Sequence, residues 1–251
     1  MAEAVAQNPP KADYGIDAPA IVKRMFTRSA WTLGAGLAIY FINHTEYPET
    51  SAKLLTILGL IGLTFLATGG FMIWSSKVAK LGLRDRLLDS LELKGDEKVL
   101  DVGCGRGLML MGAAKRLKSG KATGIDVWNP QDLSGNTADS AKQNAKIEGI
   151  SDKVRIENGD ARKMVYPEKN FDVVISSLAI HNLPDRDERH QAILEMWRVL
   201  KPGGKLLIFD IFHTADYAKV LQGAGATDVT LSGLGFLWCV PSRSLVAKKP
   251  N

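Results

Sequence analysis

Residues 99–108 read Val-Leu-Asp-Val-Gly-Cys-Gly-Arg-Gly-Leu, and the helical stretch LMLMGAAKRL begins on the last of them. A short apolar run that meets glycine at alternate positions and then a 3.6-residue pattern is a strand, a tight turn and a helix in succession. Glycines at such a turn let a ligand approach the backbone, and open α/β sheets bind ligands at the carboxyl ends of their strands. A nucleotide-like ligand is therefore expected over this turn. The dinucleotide pattern G-x-G-x-x-G/A, counted from Gly103, would need a small residue at 108, where Leu108 stands. That mismatch removes the position at which helix and strand pack closely in dinucleotide folds.

Downstream, KATGIDVW, VRIENGD, FDVVISSLAI and KLLIFDIF alternate with helical patterns at 139–148 and 189–200. Short β-branched runs alternating with helices predict an α/β fold with a parallel sheet and helices on both faces. Two further strand candidates, 228–231 and 237–247, close the chain, and Pro241 marks an edge or bulge in the second.

Upstream the chain changes character. Residues 54–74 (LLTILGLIGLTFLATGGFMIW) carry no charge, and 21 residues at a 1.5 Å rise reach about 30 Å, the hydrocarbon thickness of a bilayer. Residues 25–42 form a second apolar run interrupted by Arg28, whose guanidinium could extend to the headgroups. The expected organisation is a flexible tail over 1–24, a two-helix transmembrane hairpin over 25–76 and a catalytic domain over 77–251. Lys23, Arg24 and Arg28 precede the hairpin and Lys77, Lys80, Arg84 and Arg86 follow it, which places the N-terminus and the catalytic domain on the cytoplasmic side of a two-pass protein. Ala30, Gly34 and Ala38 recur every four positions and suit close helix packing, within the hairpin or between the protomers of a homodimer.

The formal charge of +5 is gathered around these apolar segments and not interleaved with aromatics, so the lipid bilayer is the expected partner and nucleic acid is not. Two cysteines make no disulfide framework, and four scattered histidines offer no ligand spacing, so no metal is expected.

The spacing D-x-G-x-G-x-G at 101–107 resembles the first motif of class I S-adenosylmethionine-dependent methyltransferases, broadly the ubiquinone and menaquinone type, over roughly 83–249. The resemblance implies a Rossmann-like seven-stranded sheet with its last strand antiparallel, and S-adenosylmethionine as cofactor. It implies that Asp101, Gly103, Cys104, Gly105, Gly107, Val127 and Ser176 line the cofactor, that Asp126 holds both ribose hydroxyls and that Trp128 lies against adenine. Asp160 would meet the adenine amino group, with Ala161 donating its backbone N–H. The stretches FDVVISSLAIHN and LKPGGKLLIFD resemble the family's fourth motif and the entry to its fifth strand.

Methyl transfer from a sulfonium needs alignment, and a base only where the acceptor arrives protonated. His181, after the fourth strand, and His213, after the fifth and one turn before Tyr217, are the base candidates. The fifth strand runs almost directly into HTADYAKVLQGAG, so the insertion that covers the acceptor in many relatives is missing here. Its cover is expected from 129–136, the His181 loop, 233–238 or the segment leading to Leu83. The acceptor is read as a small lipophilic molecule arriving from the bilayer. A protein methyltransferase acting on a membrane neighbour, and a non-catalytic cofactor-binding module, are the alternatives.

Overall fold

Val99 and Leu100, adjacent in β1 (Lys98–Val102), are both fully enclosed yet belong to different cores. Successive side chains of a strand point to opposite faces, so a strand apolar at every position is covered on both sides. The same holds for Val173 and Val174 in β4 (Phe171–Ser177) and for Leu206 and Leu207 in β5 (Leu200–Asp210). One face is covered by α3 (Lys80–Asp89) and α4 (Leu108–Arg116) through Leu88, Leu110 and Met111. The other is covered by α6 (Arg186–Val199) and α7 (Thr214–Gly223) through Ile193, Met196, Tyr217 and Leu221.

The computed structural model describes residues 10–237 and 240–251. Its sheet adds β2 (Lys121–Asp126), β3 (Val154–Asn158), β6 (Thr227–Leu231), β7 (Gly235–Leu237) and β8 (Val240–Lys248), in the order β3-β2-β1-β4-β5-β8-β6. β8 runs antiparallel to β5 and β6, and the rest of the path is parallel. This is the α/β Rossmann-like arrangement with a mixed sheet. An eighth short strand, β7, pairs only with β8, at the segment containing Pro241, where a missing N–H costs little. The order reverses between β1 and β4, which opens a crevice at their carboxyl ends. The helix α5 (Ala138–Ile147), capped by the Thr137 hydroxyl, follows β2.

The N-terminal helices α1 (Pro19–Asn43) and α2 (Pro48–Trp74) pack antiparallel. Glycines set their spacing: a Cβ on Gly62 would come within 2.6 Å of Leu33, and one on Gly69 within 3.0 Å of Phe26. Ala30, Gly34 and Ala38 are exposed, with nothing near a Cβ on Gly34, so the small-residue stripe faces away from α2. Arg28 lies over the Phe65 ring at 5.8 Å, held against α2 and not extended along the helix axis. A π-helical turn, Ser75–Ala79, carries α2 into α3 without a break. Among the described residues one helix, Pro48–Asp89, is long and apolar enough to cross a membrane, and only 11% of its most apolar window is buried. A core helix would be mostly buried, so this one is apolar for another reason.

The tail expected over 1–24 differs from the structure beyond residue 9. Helix α1 already begins at Pro19, and 13–17 are bonded to distant parts of the domain. Asp13 N–H donates to Asn144, and Asn144 returns a bond to the Asp13 carbonyl. Tyr14 is buried and its hydroxyl donates to Glu148 at 2.8 Å. Ile16 N–H donates to Ser134 Oγ, and Asp17 N–H to Ser76. Composition alone could not foresee these partners, which are supplied by α5 and by the joint between α2 and α3.

Candidate active site

The glycine turn after β1 takes its shape from three left-handed residues, Gly103 (φ +72°), Gly105 (φ +52°) and Gly107 (φ +87°). At Gly103 the demand is also steric, because a Cβ there would stand 2.2 Å from the Ala179 Cβ. The N–H groups of Gly103 and Cys104 both donate to the Ile125 carbonyl, which ties the turn to β2. Asp126 ends β2 and is almost fully enclosed. Its carboxylate accepts the Gly105 N–H on Oδ2 at 2.8 Å, and on Oδ1 the Trp128 N–H at 2.6 Å and the Asn136 amide at 3.4 Å, so the remaining acceptor capacity for a ligand is on Oδ2. Asp101 is 1% exposed, and its Oδ2 has no protein partner. Burial, reinforced by the charge of Asp126, pushes its carboxyl up to about 7 against the pull of the Leu110 N–H. A buried, unpartnered carboxylate oxygen facing a cavity is a place prepared for a cationic donor.

Asp160 also faces this cavity, where it takes a forked pair of bonds from Arg162 that holds its carboxyl below the ordinary range. Ala161 and Val127 line the wall beside it. Cys104 lines it too, its thiol pushed well up by burial and so unreactive. Trp128 and Ser176 are placed elsewhere. Trp128 sits at φ +61° with its indole N–H donating to Asn158, packed against the core and away from the cavity wall. The Ser176 hydroxyl donates to the Val102 carbonyl across β1 and β4, and it is Ser177, one residue on and of opposite parity, that reaches the cavity.

His181 lies in a 3₁₀ turn, Ile180–Asn182, immediately after β4. Its backbone N–H donates to Asp210 Oδ2, and its Nδ1 stands 2.5 Å from Asp210 Oδ1. Asp210, the last residue of β5, is 1% exposed and also accepts the Ile211 N–H. A buried carboxylate that accepts from Nδ1–H fixes the neutral tautomer whose lone pair is on Nε2. His181 lines the cavity. Sequence reading missed Asp210; its position at a strand end beside the turn bearing His181 was the available signal. His213 is exposed and off the cavity wall, where its carbonyl begins α7 by accepting the Asp216 and Tyr217 N–H groups. Leu178, between β4 and the His181 turn, is held at φ +55°, a conformation costly for a leucine and common at functional sites.

One cavity of about 1070 Å³ joins these groups. Its walls include Asp101, Gly103 and Asp126 at the glycine-turn end, then His181 and Phe212, and finally Ile21, Met25 and Met72 of the N-terminal helices. Three of the four covers expected from sequence contribute described residues to the wall: Leu133 and Asn136, Asn182 and Leu183, and Lys80 and Leu83. Val240 adds a wall from the start of β8. The N-terminal segment, through Tyr14, Asp17 and Ala18, supplies a cover that sequence reading had not named. Lys80 fastens it: the buried ammonium donates to the Tyr14 and Gly15 carbonyls and faces Asp17 at 3.4 Å, while burial holds it below the ordinary lysine range.

Residues 100–208 match the family model described as Methyltransferase domain. Among curated relatives, a sterol 4-C-methyltransferase of Caenorhabditis elegans is 31% identical over 137 residues, 55% of this chain and 38% of that protein. A demethylmenaquinone methyltransferase of Lactobacillus johnsonii is 31% identical over 130 residues, 51% of this chain and 50% of that protein. The chain thus spans half or less of the length of these two relatives. The fold is shared with a putative methyltransferase from Bacillus halodurans (TM-score 0.52, 22% identity, 67% of this chain and 99% of that one). It is shared also with an S-adenosylmethionine-dependent methyltransferase from Aquifex aeolicus (TM-score 0.52, 20% identity, 66% and 88%).

Proposed function

We propose that this chain, whose core is a methyltransferase domain of the S-adenosylmethionine-dependent kind, is a membrane-anchored enzyme that methylates a small lipophilic acceptor. The observation that carries the reading is the continuity of one cavity from Asp101 and Asp126, past His181, to the N-terminal helices. The names of the relatives, a sterol and a menaquinone enzyme among them, agree with a lipophilic acceptor.

The residues present fit the cofactor. Asp126 keeps acceptor capacity on Oδ2 for a ribose hydroxyl, Gly103 and Gly105 line the cavity with backbone alone, and the free Asp101 Oδ2 suits an α-ammonium. S-adenosylmethionine supplies an electrophilic methyl group on a sulfonium. The protein's part is to orient, to exclude water and to manage the acceptor's proton. His181, with Nδ1 held by Asp210, takes that proton at Nε2, and the buried carboxylate stabilises the imidazolium that forms. Such a base suits an acceptor atom that carries a proton to lose, a hydroxyl above all.

Membrane attachment rests on Pro48–Asp89, with α1 as its packed partner and a second pass. The basic residues Lys23, Arg24, Arg28 and Lys77 beside these helices support a cytoplasmic catalytic domain.

The test is incubation of the detergent-solubilised protein, and of its Asp126→Ala variant, with radiolabelled S-adenosylmethionine and a total membrane extract. Label in the organic phase that disappears in the variant is the expected result. Label on polypeptide would instead identify a protein acceptor, and cofactor binding without label in either phase would mark a non-catalytic module.

A further inference from the structure

We propose that the cavity continues beyond His181 as a channel for a hydrocarbon chain, and that the acceptor is a long-chain amphiphile with an uncharged head that enters sideways from the bilayer between α1 and α2. The proposal rests on the reading of α2 as a membrane span.

The channel wall is formed by Ile21 and Met25 of α1, Thr68 and Met72 of α2 and Leu83 and Leu87 of α3. From Thr68 to Leu87 the wall follows one unbroken helical path, about 28 Å at 1.5 Å per residue. Thr68 lies about 9 Å along the helix from Trp74, an aromatic of the kind that settles at the membrane interface. Half of a hydrocarbon core is about 15 Å thick, so an opening at Thr68 meets acyl chains and not headgroups. The Thr68 hydroxyl is spent on the Thr64 carbonyl at 2.8 Å, so no free polar group is offered there. Met25 of α1 and Met72 of α2 both line the wall with unbranched, adaptable side chains, suited to a flexible chain of variable shape.

Charge decides the head. Among the described residues the cavity is lined by four Lys or Arg side chains, and each already has an acidic partner: Lys80 with Asp17, Arg84 with Asp85, Arg106 with Asp13 and Arg162 with Asp160. No unpaired cation is left over for a phosphate or a carboxylate, while the Asp126 carboxylate adds negative charge at the far end of the cavity. An anionic headgroup passing these walls would lose its hydration without compensation.

The test uses the full chain in phosphatidylcholine vesicles with two photolabels, hexadecanol and palmitate, each bearing a mid-chain diazirine. Adducts are mapped by mass spectrometry after irradiation. Hexadecanol is expected to label 21–25 and 68–72 at least tenfold more than palmitate does, with excess unlabelled hexadecanol but not butanol suppressing the signal. Met25→Trp and Met72→Trp should cut that labelling at least tenfold while cofactor affinity, the control for folding, stays within twofold. Label confined to outward residues such as Trp31 and Leu60, label indifferent to Met72→Trp, or equal label from palmitate would each overturn the channel while leaving the methyltransferase reading intact. Failure of the protein to float with the vesicles would instead overturn the membrane reading and this proposal with it.

Discussion

Asp101→Asn isolates the electrostatics of the cofactor end of the cavity. In the folded protein the Asp101 carboxyl titrates near 7, against 3.8 for an ordinary aspartate. Below about pH 4 both folded and unfolded chains hold the proton, and the folded state carries no ionisation penalty. As pH rises from 4 to 7 the unfolded chain ionises while the folded one does not, so stability falls by about 1.4 kcal/mol per pH unit. Above pH 7 both are ionised and the loss levels off at about 4 kcal/mol. Asparagine is neutral throughout, so the variant should match the wild type near pH 4 and exceed it at pH 8 by about 2–4 kcal/mol, measured by urea unfolding without cofactor. Cofactor binding should run the other way. An α-ammonium favours the ionised carboxylate, so wild-type affinity should fall about fivefold between pH 7 and pH 6, and the variant should bind weakly with no such slope. A stability gain of equal size at pH 5 and pH 8, or a pH slope retained in the variant, would refute the assignment of the buried charge to Asp101.

Gly103→Ala places a Cβ 2.2 Å from that of Ala179 at φ +72°, so it should cost about 2–4 kcal/mol by chemical denaturation and displace the turn that carries His181. His181→Ala should lower turnover about 10²–10⁴-fold with cofactor affinity unchanged, checked by organic-phase label and calorimetry. Asp210→Asn should lower turnover less and shift the pH–rate profile, since it loosens the tautomer without removing the base; a variant as active as wild type with the same profile would remove the pair from the mechanism.

The strand, glycine turn and helix at 98–116 were legible because every element of that reading is local: apolar run, left-handed glycines, helical period. Asp126 and Asp160 were legible as acids at strand ends, and both face the cavity. Asp210 is an acid of the same kind, but its meaning comes from His181, 29 residues away in sequence, and no spacing rule joins them. Ser176 turns its hydroxyl to the Val102 carbonyl while Ser177 stands on the cavity wall, because a strand's parity, not its composition, decides which hydroxyl meets the cavity. Trp128 was read from the company it keeps in sequence, while its left-handed backbone turns the indole toward Asn158. The segment 13–17 has the small and acidic residues of a disordered tail, and only its distant partners give it a place.

That segment also imposes an order on the making of the protein. Tyr14 leaves the ribosome before any other described part of the cavity wall, with Asp13 beside it, yet Asn144 and Glu148, which hold the two, follow 131 and 134 residues later. At 5–20 residues per second the wait is about 7–26 s, during which the two apolar helices between them have emerged. Residues 13 and 14 are thus secured only once α5 has been made, and that side of the cavity is completed late.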